Sequence, residues 1–294
     1  GQVITGIKPA DAIASDHAEG HDPRFAMDGN NTAESAWIGR MDGRSPKWLM
    51  VDLKEIKTID KIEWNRGKGF KEGDERGMVR YAIDVARKKG EWFPVAANPK
   101  DSAPLRSVFL MDDPDGQKET DYRLRASRKG TAIADGNRKT TWRGVAKTDP
   151  KSSWTIDLDL GQVCTLEKFA LHDANQENAV KQYRLFMEAK AGLKPIGNKG
   201  WAVLDMPPNS PKSFPFIARA RCRYLRIKVT ESNGDHPQIG DIDVYPRLEF
   251  KEAKVAEGIG STFSFSPVDA RFVRFTINEF RGDAPAIAHI GIYG

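Results

Sequence analysis

The chain carries Asp28-Gly29-Asn30, Trp37 and Val51-Asp52-Leu53, and repeats this set as Asp135-Gly136-Asn137, Trp142 and Ile156-Asp157-Leu158. In both versions the tryptophan precedes the strand aspartate by 15 residues. The turn precedes the tryptophan by 9 residues in one version and by 7 in the other. Because loops tolerate changes in length, the pattern predicts two copies of the front half of one domain.

Two further matches extend the repeat. Tyr81-Ala82-Ile83-Asp84-Val85 and Trp92 match Tyr183-Arg184-Leu185-Phe186-Met187 and Trp201. The back halves begin at Arg223-Tyr224-Leu225-Arg226-Ile227 and at Arg271-Phe272-Val273-Arg274-Phe275, and each leads to a proline 14 residues after the first arginine. The order is front, front, back, back, which predicts one domain nested in a loop of the other. We place the inserted domain at 119–246 and the host at 1–118 plus 247–294, with 98–118 assignable to either.

The sequence predicts an all-β chain. Short runs rich in Val, Ile, Phe, Tyr and Trp recur between Gly, Pro, Asn and Asp, as in Trp48-Leu49-Met50-Val51-Asp52-Leu53. Seventeen prolines and 26 glycines supply turns between them. This composition favours a sandwich or barrel.

The ordered set of motifs resembles the coagulation-factor type C, or discoidin, family, which includes family 32 carbohydrate-binding modules. The resemblance rests on Ala26-Met27-Asp28-Gly29-Asn30, Val51-Asp52-Leu53, Glu91-Trp92-Phe93-Pro94-Val95, Ala270-Arg271-Phe272-Val273-Arg274 and the terminal Ile290-Gly291-Ile292-Tyr293. It implies two jelly-roll-like sandwiches of the galactose-binding type that bind ligands through loops at one end. It also implies a secreted, periplasmic or cell-surface location and no catalytic activity of the domains' own.

Calcium is expected on the same basis, because members of the family often hold a structural ion at the Asp-Gly-Asn turn. A hard cation takes about 6–8 oxygen ligands. The matching residues in the inserted domain are Asp135, Asn137, Thr140 and Asp241. In the host they are Asp28, Asn30 and Ser35, with His289 where an acidic ligand is usual. The alternative is that these residues only form tight turns.

Two loops are candidate ligand sites. Sugar sites combine an aromatic face with planar hydrogen-bonding groups. Trp64-Asn65-Arg66 offers that combination, with Lys68 and Phe70 just after it. Trp64 lies 12 residues after Asp52, and Phe169 lies 12 residues after Asp157, so the two are predicted to be equivalent. The equivalent loop is then His172–Asn175. The alternative is that Trp64 closes the core and Arg66 is a solvated charge. Trp37 and Trp142 are expected in the core.

Several features of the sequence bear on whether the protein is an enzyme, a disulfide-bonded protein, an electrostatic binder or a membrane protein. The sequence has no Gly-x-Ser-x-Gly elbow, His-Glu-x-x-His, Walker A or Rossmann motif. Cys164 and Cys222 are expected as buried thiols without a disulfide. The net charge is +5, but basic and acidic residues are interleaved. The sequence contains no run of about 18 apolar residues, so it predicts no membrane-spanning helix.

The leading hypothesis is a non-catalytic, monomeric carbohydrate-binding or adhesion module of a larger extracytoplasmic bacterial protein, which could be an enzyme. One alternative is an electrostatic binder of anionic lipid, sulfated glycan or nucleic acid, although no specific nucleic acid is expected. Such binding would weaken steeply with salt. The other alternative is a structural spacer.

Overall fold

A computed structural model describes residues 1–70, 75–106, 108–111, 121–123, 133–134, 136–144, 146, 151, 153–206, 211–256 and 259–294. The chain divides into two compact units. The host unit consists of Gly1–Ala103 and Leu248–Gly294, and the inserted unit is Pro104–Arg247. No helix among the described residues is long and apolar enough to cross a membrane.

The described regular structure is almost entirely β, as the sequence predicted. Two short 3-10 helices, Pro9–Asp11 and Pro23–Met27, lie near the N-terminus. The strands of the host unit are β1 (Ala12–Ala14), β2 (Trp37–Ile38), β3 (Lys47–Asn65), β4 (Met78–Ala86) and β5 (Phe93–Asn98), followed after the insertion by β14 (Phe250–Ala256), β15 (Gly260–Phe280), β16 (Ala286–Ile287) and β17 (His289–Tyr293). The inserted unit contains β6 (Phe109–Leu110), β7 (Asp121–Arg123), β8 (Trp142–Arg143), β9 (Ser153–Asp173), β10 (Val180–Glu188), β11 (Trp201–Val203), β12 (Ser213–Ser232) and β13 (Gln238–Pro246).

Two long strands of the host unit run through both layers of a sandwich. The first half of β3 pairs with β1 and with the second half of β15, which also pairs with β4. The second half of β3 pairs with β17 and with the first half of β15. The β15–β3 register shifts between the halves, between Ser264 and Val268 and between Ala270 and Phe272. Long strands that change layers at such irregularities form the corners of a sandwich. One core lies between the layers, and it includes Leu49, Val51, Ile62, Trp64, Phe263, Phe275 and Ile292.

The inserted unit repeats this plan with β9 and β12 as its long strands. The first half of β9 pairs with the second half of β12, which also pairs with β10. The second half of β9 pairs with β13 and with the first half of β12. The register again shifts between the halves, at Cys222 and Tyr224. The two units are therefore two copies of one sandwich.

Equivalent short pairs mark one rim of each sandwich. In the host unit Ile287 pairs with Trp37, and in the inserted unit Ile239 pairs with Trp142. Both tryptophans are buried, at 0% and 5% exposure, as the sequence predicted. The next pair outward is Ala286 with Ile38 in the host unit and Gln238 with Arg143 in the inserted unit.

The inserted unit begins at Pro104, within the range 98–118 that the sequence leaves assignable to either domain. The Leu105 N–H donates to Val244 O at 2.8 Å, just as the Ile4 N–H donates to Ile292 O at 2.9 Å at the start of the host unit. Phe109 and Leu110 then pair with β9. Leu105, Phe109, Leu110 and Met111 therefore belong to the inserted unit and not to the host, because their backbones bond to its strands. The predicted boundary at 118/119 falls outside the described residues.

The counterpart of Asp52 in the inserted unit lies two residues later in the chain than the sequence predicted. Asp52 pairs with Phe272, and the residue paired with the equivalent Tyr224 is Asp159, not Asp157. Lys54 and Gly161, each two residues further on, both have positive φ, 70° and 83°. Val51-Asp52-Leu53 therefore matches Leu158-Asp159-Leu160, and Trp64 lies opposite Leu171 rather than Phe169. A shift of two keeps every side chain on its face of the sheet, so burial alternation does not reveal it.

Candidate functional site

Trp64 lies in the core of the host unit. Its side chain is 2% exposed, and it packs edge-on against Tyr81 with ring centroids 5.5 Å apart. The indole N–H donates to the Tyr81 hydroxyl at 3.2 Å. Burial raises the pKa of Tyr81 to about 12, so this hydroxyl stays protonated at neutral pH. The predicted ligand platform at Trp64 is wrong, because neither face of the indole reaches solvent.

The rest of the Trp64 loop turns back onto its own unit. Asn65 accepts the Gly67 N–H at 2.8 Å, and the Lys68 N–H donates to Asn31 O at 3.0 Å. The Arg66 guanidinium stacks over the Phe70 ring, 5.0 Å from its centroid. Phe70 is half-buried against an apolar cluster of Ala18, Ala36, Ile38, Ala284, Ala286 and Ala288. Of the five predicted host residues, only the Lys68 side chain is well exposed.

Two residues of the second predicted loop, His172 and Asn175, make side-chain contacts within the inserted unit. His172 is half-buried, and its Nε2 lies 3.0 Å from the Asp243 carboxylate. Asn175 is exposed, and its side-chain N–H donates to the Gln238 side-chain carbonyl at 2.7 Å. The Asn178 N–H donates to Asn175 Oδ1 at 2.8 Å. His172 therefore points toward β13, whereas Asn175 points along the rim.

Asn175 belongs to a set that we call the polar rim: Thr141, Arg143, Asn175 and Gln238. Gln238 Nε2 donates to the Thr141 hydroxyl at 3.3 Å, which continues the chain from Asn175. Arg143 pairs with Gln238 in the short β8–β13 ladder, and its Nε donates to His236 Nε2 at 2.7 Å. Thr141, Arg143 and Asn175 are exposed and Gln238 is half-buried. The rim thus presents two amides, a hydroxyl and a guanidinium in fixed orientations.

The same rim in the host unit is apolar. Ile38 and Ala286 occupy the positions of Arg143 and Gln238, and they are 4% and 0% exposed. Both residues belong to the apolar cluster against which Phe70 packs. Equivalent positions are therefore sealed in one unit and polar in the other.

The sequence prediction included Asn175 as a candidate ligand residue and did not include Thr141, Arg143 or Gln238. The available signal was a difference between the copies: Gln238 follows Pro237, whereas Ala286 follows Pro285. A polar residue that replaces a core alanine between two copies marks a position where their surroundings differ.

The host turn residues do not fit a calcium site. Asp28 accepts the Asn30 N–H at 2.8 Å and the Asn30 side-chain N–H at 3.3 Å, and the Ser35 hydroxyl also donates to it. Its oxygens therefore face donors of the turn itself. His289, at the position of the acidic ligand, has its Nε2 3.1 Å from Glu63. No group of three His, Cys, Asp or Glu side chains suited to a metal gathers among the described residues.

The inserted turn differs from the expected calcium site in another way. Asp135 lies outside the described residues. The backbone carbonyl of Asn137 accepts the Thr140 hydroxyl at 2.7 Å. Asp241 is 2% exposed, and burial, with the neighbouring Asp243 carboxylate, raises its pKa to about 6. A cation already lies beside Asp241 and Asp243: the Arg106 guanidinium, with Nη1 3.7 Å and 3.0 Å from their carboxylates. These residues therefore do not fit a divalent ion while Arg106 occupies this position.

The two cysteines are cross-strand neighbours on β9 and β12. Cys164 pairs with Cys222 in the ladder, and both are buried free thiols. Burial raises the pKa of Cys164 to about 12 and raises that of Cys222 as well. Neither thiol is ionised near neutral pH.

No family model and no curated protein matches the chain. Solved structures do resemble it. One is a family 32 carbohydrate-binding module of a family 31 glycoside hydrolase from Clostridium perfringens, at 13% identity and a TM-score of 0.34, covering 47% of this chain and 90% of the module. Another is the pair of family 32 modules of ZmpB from the same organism, in complex with GalNAc, at 8% identity and 0.33, covering 82% and 91%. A third is a chitosan-binding module from a Paenibacillus chitosanase/glucanase, at 11% and 0.33, covering 96% and 92%.

Proposed function

We propose that the chain is a non-catalytic carbohydrate-binding module and that the polar rim of the inserted unit contacts the sugar. The observation that carries this proposal is the hydrogen-bonded chain from Asn175 through Gln238 to Thr141, next to Arg143. A primary amide has two N–H donors and a carbonyl, and these contacts use one N–H and the carbonyl of both Asn175 and Gln238. The two amides are thereby held in place, and within the described residues each keeps its second N–H for a ligand. Planar groups in fixed orientations suit the vicinal hydroxyls of a sugar ring.

The comparison of the two rims favours the inserted unit. In the host unit Ile38 and Ala286 are buried in the apolar cluster against which Phe70 packs, and such a surface offers a sugar no directional contacts. The discoidin resemblance, in which loops at one end of the sandwich bind the ligand, agrees with a site on this rim. As part of the same proposal, the chain belongs to a larger secreted or cell-surface protein and keeps it near a polysaccharide.

Affinity electrophoresis in gels that contain soluble polysaccharides, together with a glycan array, tests the proposal. Binding should persist at both low and high salt, because the proposed contacts are hydrogen bonds to neutral hydroxyls. Gln238→Ala installs the residue that the host unit carries at this position. It should weaken binding by roughly ten-fold, the effect of losing one or two hydrogen bonds.

The matched control is Gln182→Ala, which removes an exposed amide of the same unit from β10. It should bind as the wild type does. Equal loss in both variants, or full binding by Gln238→Ala, would place the contact elsewhere. Binding that disappears at high salt would favour the electrostatic alternative.

A further inference from the structure

We propose that the Arg106 guanidinium takes the place of the divalent cation that the family resemblance implies at the inserted turn, so that this unit folds and stays folded without calcium. This role of Arg106 does not depend on what the polar rim binds.

Arg106 lies close to the Asp-Gly-Asn turn of the inserted unit. A Cβ atom built on Gly136, the glycine of the Asp-Gly-Asn turn, would lie 3.0 Å from the Arg106 Cζ. The guanidinium therefore packs against the backbone of the turn glycine. Gly136 has a φ of 76°, which an L-residue rarely adopts, so the turn keeps this face open to Arg106.

Arg106 also lies beside two buried carboxylates, those of Asp241 and Asp243. Asp241 and Asp243 are 2% and 7% exposed and lie on the same strand, two residues apart. Two buried carboxylates this close are unfavourable without a positive charge. Arg106 supplies it at 3.0 Å from Asp243 and 3.7 Å from Asp241. His172 also faces Asp243, with its Nε2 at 3.0 Å, and the Tyr245 hydroxyl donates to it at 3.5 Å.

The buried carboxylate oxygens beside Arg106 are also potential metal ligands. Within the described part of the chain, the buried Oδ1 of Asp241 accepts no hydrogen bond, and the buried Oδ1 of Asp243 is the oxygen that pairs with Arg106 Nη1 at 3.0 Å. Both oxygens are available to a metal ion once the guanidinium is removed. Arg106 enters from the segment that starts the inserted unit, next to Leu105 on the β13 edge. The ion pair therefore also fastens that segment to the sandwich.

Thermal melting of the full chain, in chelator and in excess calcium, tests the proposal. The wild type should melt at the same temperature in both. Arg106→Gln should melt lower in chelator, and calcium should raise its melting temperature by on the order of 5 °C if calcium reaches about a hundred times its dissociation constant. Calorimetry should then detect one calcium ion bound to the variant and none bound to the wild type. Arg106→Lys keeps a positive charge and should remain indifferent to calcium.

Arg271→Gln is the matched control, because it breaks a comparable arginine–aspartate pair in the host unit, with Asp52. It should not create a response to calcium. If Arg106→Gln fails to fold in chelator, Arg106→Gln/Asp241→Asn should restore folding by removing one of the buried charges. A calcium-dependent rise in the wild-type melting temperature that Asp241→Asn abolishes would overturn the proposal. A folded Arg106→Gln protein that neither loses stability nor binds calcium would overturn it as well.

Discussion

The Arg223 guanidinium donates from Nε and Nη2 to the two carboxylate oxygens of Asp159, at 2.8 and 3.1 Å. Arg271 and Asp52 form the same pair in the host unit, at 3.0 and 3.1 Å. Each pair joins the two long strands beside the register shift where they change layers. The parallel two-bond geometry gives direction as well as attraction, so each pair holds one corner of its sandwich.

Asp52→Asn should make the protein less sensitive to acid. The hydrogen bond from Arg271 lowers the pKa of Asp52 below its ordinary 3.8. The stabilisation from this carboxylate is therefore present above about pH 4 and is lost as the pH falls through the lower, folded-state pKa. Because the pair is partly exposed, the variant should lose only about 1 kcal/mol of unfolding free energy at neutral pH. Urea unfolding across this pH range should show the two proteins converging in acid. Asp101→Asn, on an exposed carboxylate, should not change the slope.

Trp64→Ala should destabilise the protein and leave glycan binding intact. Truncating a buried aromatic side chain costs about 3–5 kcal/mol. Trp64→Phe keeps most of the volume but loses the hydrogen bond to Tyr81, so it should cost less. Denaturant unfolding measures the loss, and affinity electrophoresis of the folded variant measures binding. A Trp64→Phe protein that is fully stable but no longer binds would restore Trp64 as a ligand contact.

Gly161→Ala should destabilise the inserted unit. Gly161 has a φ of 83°, and its N–H donates to Asp159 at 2.9 Å. An L-residue in the left-handed region costs roughly 1–2 kcal/mol, and asparagine tolerates it better than alanine. Gly161→Asn should therefore be more stable than Gly161→Ala in thermal melting. The reverse order would show that the turn does not need this conformation.

Cys164 and Cys222 should react with a thiol reagent only after unfolding. Burial raises the pKa of Cys164 to about 12, and the thiolate is the reactive form. At about pH 8 the native protein should release almost no chromophore from a disulfide reagent. Addition of denaturant should then release two equivalents. Rapid native reaction at Cys164, with Cys222→Ala as the background, would contradict the buried arrangement.

A fragment of residues 103–247 should fold alone, whereas 119–246 should be markedly less stable. The shorter fragment lacks Leu105, which bonds to Val244, and β6, which pairs with β9. Residues 1–103 alone lack β14 to β17 and should not melt cooperatively. Circular dichroism melts of the three fragments check this. Equal melting temperatures for 103–247 and 119–246 would show that residues 103–118 contribute nothing to this unit.

Part of the candidate site follows from the sequence alone. The loop that contains Asn175 is recognisable because it follows a strand that recurs in both copies. Arg143 and Gln238 are not recognisable in this way, because the two residues are 95 positions apart and meet only through the β8–β13 pair. The prediction for Trp64 was wrong because an aromatic residue at a strand end looks the same in sequence whether it packs inward or faces a ligand.

The sequence by itself determined the β class and the existence of two copies in the order front, front, back, back, because alternation of apolar residues and turn composition are local properties. Only the tertiary structure decided which aspartate is the counterpart of Asp52. Asp157 and Asp159 lie on the same face of one strand, and a shift of two residues preserves burial. The choice depends on the partner across the ladder, Tyr224, and on the turn at Gly161. Those contacts join residues distant in the chain, and no spacing within a single segment encodes them.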